Sequence, residues 1–169
     1  MVSVLHSFGE LLLASMCDRE AGNCFATIVF SEANYWIDTV HDTFSSKILP
    51  LLEEDSGYAQ GAWCGLNYLS VLSEELWRNI RVYWRQVLSD GEPYEGVRNA
   101  RIKKTFLWSS ILYDGSASRE ALFGVCRHNP ASCSAAAWVL VEWTLHLPKA
   151  DREREWRGWI NSTINLLLE

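Results

Sequence analysis

The sequence predicts an all-α fold of about seven to eight helices in a single domain, 1–169. Apolar residues recur at helical spacing along most of the chain, and no alternating strand pattern of useful length interrupts them. Gly, Pro, Asp and Asn stand between the apolar stripes, where helices are expected to end. With 169 residues, 49% of them apolar and 21% charged, the chain can bury roughly two-thirds of its unfolded surface. A hydrophobic core without disulfides or structural metals is therefore expected.

In the N-terminal part of the chain, the apolar pattern predicts two helices separated by a turn. The turn is expected over residues 18–23, because Gly22 and Asn23 are typical turn residues. The second helix begins near Ser31, and Pro50 kinks or ends it because proline removes a backbone donor. The first apolar stripe consists of Val4, Leu5, Phe8, Leu11, Leu12 and Ser15, and the second of Trp36, Ile37, Val40, Phe44, Ile48 and Leu52.

Two more helical stretches are predicted in the middle of the chain, after a polar stretch at 55–61. One runs to the break at Asp90-Gly91, and the other, 97–113, is apolar on most sides, as a buried central helix should be. Asp114-Gly115 closes that central helix. The first stretch carries Leu66, Leu69, Leu72, Leu76, Trp77, Ile80, Trp84, Val87 and Leu88.

The C-terminal part begins with a short helix predicted from Ser118 to about Arg127. Asn129 then precedes Pro130, an arrangement in which an asparagine N-cap is followed by a proline at the first helical position. A further helix is therefore predicted from this point through Leu147, before Pro148.

Several short motifs follow one another in a fixed order. After Asp90-Gly91 come Asn99-Ala100-Arg101-Ile102 and Trp108-Ser109-Ser110, and farther on come Ala136-Ala137-Trp138, His146-Leu147 and Trp156 with Gly158-Trp159. Upstream, Ile37, Val40, His41, Asp42 and Phe44 fit the pattern apolar-x-x-apolar-small-Asp-x-Phe, except at His41. The later motifs resemble, in order, the first homology region, the sixth helix and the second homology region of the Bcl-2 family. The upstream segment resembles the third homology region. Asn99 stands where the family has Trp, and Ala100 where it has Gly.

The resemblance implies a Bcl-2-like bundle around a central hydrophobic helix, with a surface hydrophobic groove. It further implies an inhibitor of apoptosis that sequesters the amphipathic homology-3 helix of pro-apoptotic relatives (Bim-like, Bak-like or Bax-like proteins). A killer helix needs a small residue before its Asp, so His41 predicts the survival class instead. The degenerate motifs indicate a divergent viral member.

The same resemblance assigns the ligand-binding residues. One groove wall is predicted from Phe44, Ile48 and Leu52, the other from Tyr83, Val87 and Leu88, and Asn99, Ala100 and Trp108 complete the set. Arg101 is expected to meet the single Asp of the ligand, because a guanidinium binds carboxylate bidentately and stays charged when partly desolvated. Lys103 and Lys104 replace small or apolar residues of the family, so a narrower or more basic groove is expected.

The net charge and the cysteines limit which partners and which cellular location are expected. The net charge of −6 argues against a nucleic-acid partner, and basic residues cluster only at Arg98, Arg101, Lys103 and Lys104. The five cysteines form no CxxC pair, and no basic leader precedes the first apolar stripe. The terminal Leu-Leu-Leu-Glu is far too short to cross a bilayer. A cytoplasmic protein without a transmembrane anchor is expected, which its partners could bring to the periphery of mitochondria.

Other classes of function have weaker support in the sequence. Cys126, His128 and Cys133 could supply three metal ligands, but no fourth follows at zinc-site spacing, so no metal or cofactor is predicted. No phosphate-binding loop, dinucleotide fingerprint or nucleophile motif is present, so no catalytic residue is assigned and an enzyme ranks third. The main rival is a structural or self-associating helical protein. Nine tryptophans favour it, because tryptophan is enriched at interfaces and a homodimer would cover them.

Overall fold

The computed structural model describes residues 19–53, 57–89 and 100–168, and every regular element within these ranges is helical. The all-α prediction is confirmed. Backbone contacts group these residues into two compact units, the first from 19–53 and 57–69 and the second from 70–89 and 100–168. The helix predicted from Val4 to Ser15 lies outside the described residues.

In the first unit, several short helical elements replace one predicted long helix. Its elements are α1 (Arg19–Ser31), α2 (Ala33–Thr39), α3 (His41–Thr43), a π-helical turn (Phe44–Ile48), a 3-10 turn (Leu49–Leu52) and α4 (Ala59–Leu66). The predicted helix is interrupted at Val40, whose φ of −138° and ψ of 50° are not helical. Pro50 lies in the first turn of the 3-10 segment, where its missing N–H forgoes no helical hydrogen bond.

Glycines allow α1 and α4 to approach closely. A Cβ atom on Gly61 would collide with the carbonyl of Asn23, and one on Gly65 would collide with the carbonyl of Thr27. Polar bonds reinforce the crossing, since Gly61 N donates to Asn23 Oδ1 at 2.8 Å and Thr27 Oγ1 donates to Gly61 O at 3.0 Å. The turn predicted at Gly22 and Asn23 is wrong, because both residues lie inside α1. The contacts of Asn23 with α4, and of Gly22 with Tyr58 just before α4, override the weak helix propensity of the two residues.

The second unit contains the remaining helices. They are α5 (Glu74–Ile80), a 3-10 turn (Arg81–Tyr83), α6 (Trp84–Leu88), α7 (Ala100–Tyr113), α8 (Ser116–Cys126), α9 (Pro130–His146), α10 (Lys149–Glu155), a π-helical turn (Trp156–Ile160) and α11 (Asn161–Leu168). The last three elements follow one another without a break.

Side-chain caps fix two of these helix starts. The amide of Leu76 donates to Ser73 Oγ at 3.3 Å, so α5 begins after Ser73. Leu69 and Leu72 therefore lie in the preceding connection and not in a helix, which corrects that part of the prediction. At α9, Asn129 Oδ1 accepts from the amides of the second and third residues that follow it, at 2.9 and 3.0 Å. This confirms the predicted N-cap.

α7 is buried along most of its length and packs against α5, α6, α8 and α9. Its buried side chains include Ile102, Phe106, Leu107 and Ile111. The Phe106 ring meets Trp77 of α5 edge-on, with ring centroids 5.4 Å apart. A predominantly hydrophobic helix therefore lies inside the second unit. That this bundle has the Bcl-2 arrangement stays a prediction.

Candidate binding site

The first predicted groove wall lies in the core of the first unit. Phe44, Ile48 and Leu52 are all buried, and the ring of Phe44 packs against Phe30 of α1 with centroids 5.8 Å apart. The carbonyl of Leu52 accepts a hydrogen bond from Trp63 Nε1 at 3.1 Å. A ligand can reach these side chains only after the elements that cover them move.

The residues predicted for the opposite wall differ in exposure. Val87 and Leu88 are fully buried at the end of α6, whereas Tyr83 is half-buried in the preceding 3-10 turn. Arg101 is exposed in the first turn of α7. Ala100 is the first residue of that helix, and Asn99 lies outside the described residues.

Trp108 belongs to an aromatic cluster on the second unit. Its half-buried ring meets Trp143 of α9 at 5.8 Å and His146 at 6.1 Å between centroids, both nearly edge-on. This geometry is the favoured one for aromatic pairs. It accounts for Trp108 by packing between α7 and α9, and a ligand contact at Trp108 stays a prediction.

Lys103 adds no surface charge to the groove that the sequence predicts to be narrower or more basic. Lys103 is fully buried, and its Nζ donates to the carbonyl of Val87 at 3.0 Å and to Ser132 Oγ at 3.2 Å. Lys104 Nζ lies 3.9 Å from the centroid of the Trp138 ring, a cation–π contact. The expectation of a more basic groove is wrong for Lys103, because the end of α6 offers carbonyl acceptors inside the core.

Three side chains cap the carbonyls at the end of α6. Lys103 binds Val87 O, Ser132 Oγ donates to Leu88 O at 2.9 Å, and Asn129 Nδ2 donates to Ser89 O at 3.2 Å. Buried helix ends require such partners, because the last carbonyl groups of a helix receive no hydrogen bond from amides within the helix. This polar cluster joins α6, α7 and the start of α9. It is a structural assembly that the sequence did not reveal.

The Cys126 thiol is unsuited to nucleophilic chemistry. Burial raises its pKa to about 12, an effect that outweighs the opposite influence of Lys103. The thiolate is the reactive form of cysteine, so this side chain stays protonated at neutral pH. Within the described ranges, no three side chains of His, Cys, Asp or Glu converge to hold a metal ion, so Cys126, His128 and Cys133 do not form a metal site.

The second unit carries an open apolar groove that the sequence did not predict. We call it the α9–α11 groove; its volume is about 360 Å³, and its walls are Cys133, Ala137, Leu140, Val141, Thr144, Leu145, Trp156, Ile160, Ile164, Leu167 and Leu168. Cys133 Sγ lies 4.0 Å from Leu167 O, so the start of α9 lies beside the end of α11. α8 packs against both helices and thus supports the groove from below.

The rim of the α9–α11 groove exposes large apolar side chains to solvent. Val141 is 58% exposed, Leu145 59% and Leu168 80%. α9 is apolar on all sides, a property that favours burial of the whole helix. The sequence showed this apolarity, but periodicity could not tell which face the rest of the chain leaves uncovered.

A polar recess adjoins one end of the groove. Thr144 and Trp156 line both, and the recess is completed by Arg152, Glu153, Arg157 and Asn161. Arg157 forms an ion pair with Glu153. Arg152 instead donates from Nε to Leu147 O at 3.1 Å and from Nη2 to Leu145 O at 3.2 Å. Among residues 19–53, 57–89 and 100–168, no carboxylate oxygen lies within 4.0 Å of its guanidinium.

None of the helices in the described ranges is both long and apolar enough to cross a membrane. No protein-family model, curated protein or solved structure matches this chain. The resemblance to the Bcl-2 family therefore rests on the sequence motifs, and what those motifs imply about function needs a direct test.

Proposed function

We propose that the protein is a survival-type Bcl-2-like inhibitor of apoptosis that sequesters the homology-3 helix of pro-apoptotic proteins. The observation that carries the proposal is the position of Arg101. It is exposed on the first turn of a helix, α7, whose following residues Ile102, Phe106 and Leu107 are buried. The motif that contains Arg101 thus begins a largely buried helix in the second unit, and this supports the proposal.

The physical chemistry of this position favours an acidic ligand group. The first turn of an α-helix carries a partial positive charge, which adds to the charge of the Arg101 guanidinium. A carboxylate from an amphipathic helix gains a charge-assisted hydrogen bond here, and the apolar face of that helix provides most of the remaining free energy.

The burial of Phe44, Val87 and Leu88 adds a kinetic expectation. If these side chains bind the ligand, the elements that cover them must move first, and association becomes slower than for a preformed groove. We therefore expect association rate constants below the usual range of about 10⁵–10⁷ M⁻¹s⁻¹.

Fluorescent peptides that carry the homology-3 helices of Bim, Bak and Bax test the proposal by fluorescence anisotropy. We expect at least one to bind at or below micromolar Kd, and a peptide with its Asp replaced by Ala to bind more weakly. A scrambled peptide of the same composition is the control. If all peptides bind no better than the scrambled one, the proposal is rejected.

Self-association is a second candidate function, favoured by the outer face of α9. Trp138 is 46% exposed there, next to the exposed Val141 and Leu145. Soluble proteins rarely leave large contiguous apolar patches uncovered. A second copy of the chain could cover this face.

A further inference from the structure

We propose that the α9–α11 groove binds the alkyl chain of a monomeric fatty carboxylate, with the carboxylate held by Arg152. This ligand site is separate from the residues assigned to the homology-3 helix and does not depend on that function. Three observations carry it: the apolar lining, the dimensions of the groove, and the position of Arg152 in the adjoining recess.

The lining matches what an alkyl chain requires. Apart from Cys133 and Thr144, every wall side chain of the groove is a hydrocarbon or an indole. The Thr144 hydroxyl is already used, since its Oγ1 donates to Leu140 O at 2.7 Å. Ligand pockets are typically apolar with a few polar groups at defined points, and they occupy about 300–1,000 Å³.

The dimensions of the groove suit an extended alkyl chain. The α9 wall runs from Cys133 to Leu145, about 18 Å at a rise of about 1.5 Å per residue. A single alkyl chain, whose width is set by carbon contacts of about 4 Å, occupies only about 200–300 Å³ over the same length. The groove therefore accommodates one extended chain.

The recess supplies complementary charge at one end. Arg152 and Arg157 contribute two positive charges to the recess, and Glu153 contributes one negative charge. Because Arg157 is paired with Glu153, Arg152 provides the net positive charge of the recess. The two bonds from Arg152 to Leu147 O and Leu145 O use two of its five N–H groups and fix the guanidinium in place. A carboxylate at this end of the alkyl chain thus meets an arginine whose other bonds are to neutral carbonyls.

Titration calorimetry with carboxylates from octanoate to tetradecanoate, each below its critical micelle concentration, tests the site. We expect one molecule to bind per chain, with Kd below about 1 mM for decanoate and an affinity that rises about fourfold per added methylene. In methyl NMR spectra, the signal of Ile164 in the groove should shift on binding, and that of Ile102 in the α7 core should not.

Two pairs of variants locate the ligand. Ala137→Trp fills the groove and should weaken decanoate binding at least tenfold, whereas Ser134→Trp, on an exposed α9 position outside the groove lining, should leave it unchanged. Arg152→Gln should weaken decanoate about tenfold and leave the neutral analogue 1-decanol unchanged, since it removes one charge-assisted bond. Arg154→Gln, on the same helix outside the recess, is its control.

Several outcomes would overturn the proposal. They are the absence of saturable binding below about 1 mM, an unshifted Ile164 signal at saturation, equal affinities for Ala137→Trp and the wild type, and an Arg152→Gln effect shared by 1-decanol. If instead Ala137→Trp abolishes a homodimer or the binding of a helical peptide while decanoate does not bind, the occupant is a protein. Failure of the homology-3 peptides to bind leaves the carboxylate results unaffected, so the two proposals fail independently.

Discussion

Lys103 Nζ donates a hydrogen bond to Ser132 Oγ at 3.2 Å, and this contact joins the start of α7 to the start of α9. Ser132 Oγ donates its own hydrogen bond to the carbonyl of Leu88 at 2.9 Å, and Lys103 Nζ donates to the preceding carbonyl, that of Val87. A side chain that sequence reasoning assigned to a binding surface is therefore part of the polar core. Its removal should affect stability more than ligand binding.

We predict that Lys103→Ala lowers the free energy of unfolding by about 2–4 kcal/mol. The change removes a buried aliphatic stem and leaves the Val87 carbonyl without one of its donors. Urea unfolding monitored by circular dichroism measures the loss. Lys149→Ala, at an exposed position, is the matched control and should change the value by less than about 0.5 kcal/mol.

Lys103→Met separates the stem from the hydrogen bonds. It keeps most of the apolar volume, so we expect its free energy of unfolding to lie between those of wild type and Lys103→Ala. A Lys103→Met protein more stable than wild type would contradict this expectation, because it would show that burying the amine costs more free energy than its hydrogen bonds contribute.

Asn129→Ala should destabilise the protein by about 1–3 kcal/mol. Asn129 caps α9 through Oδ1 and binds the carbonyl of Ser89 through Nδ2, so the substitution removes bonds at two helix ends together. Asn165→Ala, at an exposed position in α11, is the control and should have no destabilising effect. Equal unfolding midpoints for the two variants in urea would contradict the dual role.

Cys126 predicts a loss of stability at alkaline pH. Burial raises the folded-state pKa from 9.0 to about 12, so between these values the unfolded chain releases the thiol proton while the folded chain keeps it. The unfolded state then binds fewer protons, and the free energy of unfolding falls as pH rises from about 9 towards 12. Below about pH 9 this thiol contributes no pH dependence.

The alkaline effect is measured by urea unfolding at several pH values, with Cys126→Ala as the variant that lacks the thiol. Above pH 9, the free energy of unfolding of Cys126→Ala should fall less steeply than that of wild type. The cavity left by the substitution lowers this free energy at every pH. Cys24→Ala is the control, because the Cys24 thiol is exposed. Parallel pH profiles for wild type and Cys126→Ala would contradict the prediction.

Features that depend on adjacent residues were predictable from the sequence. The Asn129-Pro130 pair correctly located the start of α9, because an N-cap side chain bonds to amides only two and three residues away. The end of the central helix at Tyr113 likewise followed from Asp114-Gly115. The prediction of an all-α fold required only the recurrence of apolar residues at helical spacing.

Features that depend on distant partners were not predictable. Asn23 is typical of a turn in the sequence, and only its contact with Gly61 of α4 explains why it lies inside a helix. Lys103 likewise has the sequence features of a surface residue, and only the fold places the carbonyl of Val87 beside it. Similarly, Arg152 is one of several charges in a polar run, and only the fold places it at the end of an apolar groove. Periodicity assigns residues to helices, but it does not say which helices meet.

The exposed face of α9 predicts a homodimer that dissociates when that face is charged. Trp138→Glu should shift the protein to monomer in sedimentation runs from micromolar to tens of micromolar, because a charge would be buried at the interface. Tyr68→Glu, which replaces an exposed aromatic residue of the first unit, is the control. A wild-type protein of monomer mass throughout that range would exclude the dimer.

The proposed pairing of Arg101 with the ligand's Asp predicts a non-additive double-mutant cycle. Arg101→Ala should weaken the binding of the tightest homology-3 peptide by about 1.5–3 kcal/mol, the value of a charge-assisted hydrogen bond, and leave the unfolding midpoint unchanged because the residue is exposed. Replacing the peptide's Asp by Ala should cost a similar amount of binding free energy.

If Arg101 and the peptide's Asp bind each other, the double change costs little more than either single one, since both remove the same interaction. Arg127→Ala, at an exposed arginine after α8, is the control and should not alter affinity. Losses that add would place the Asp against a different residue and would leave Arg101 without the role that the resemblance assigns to it.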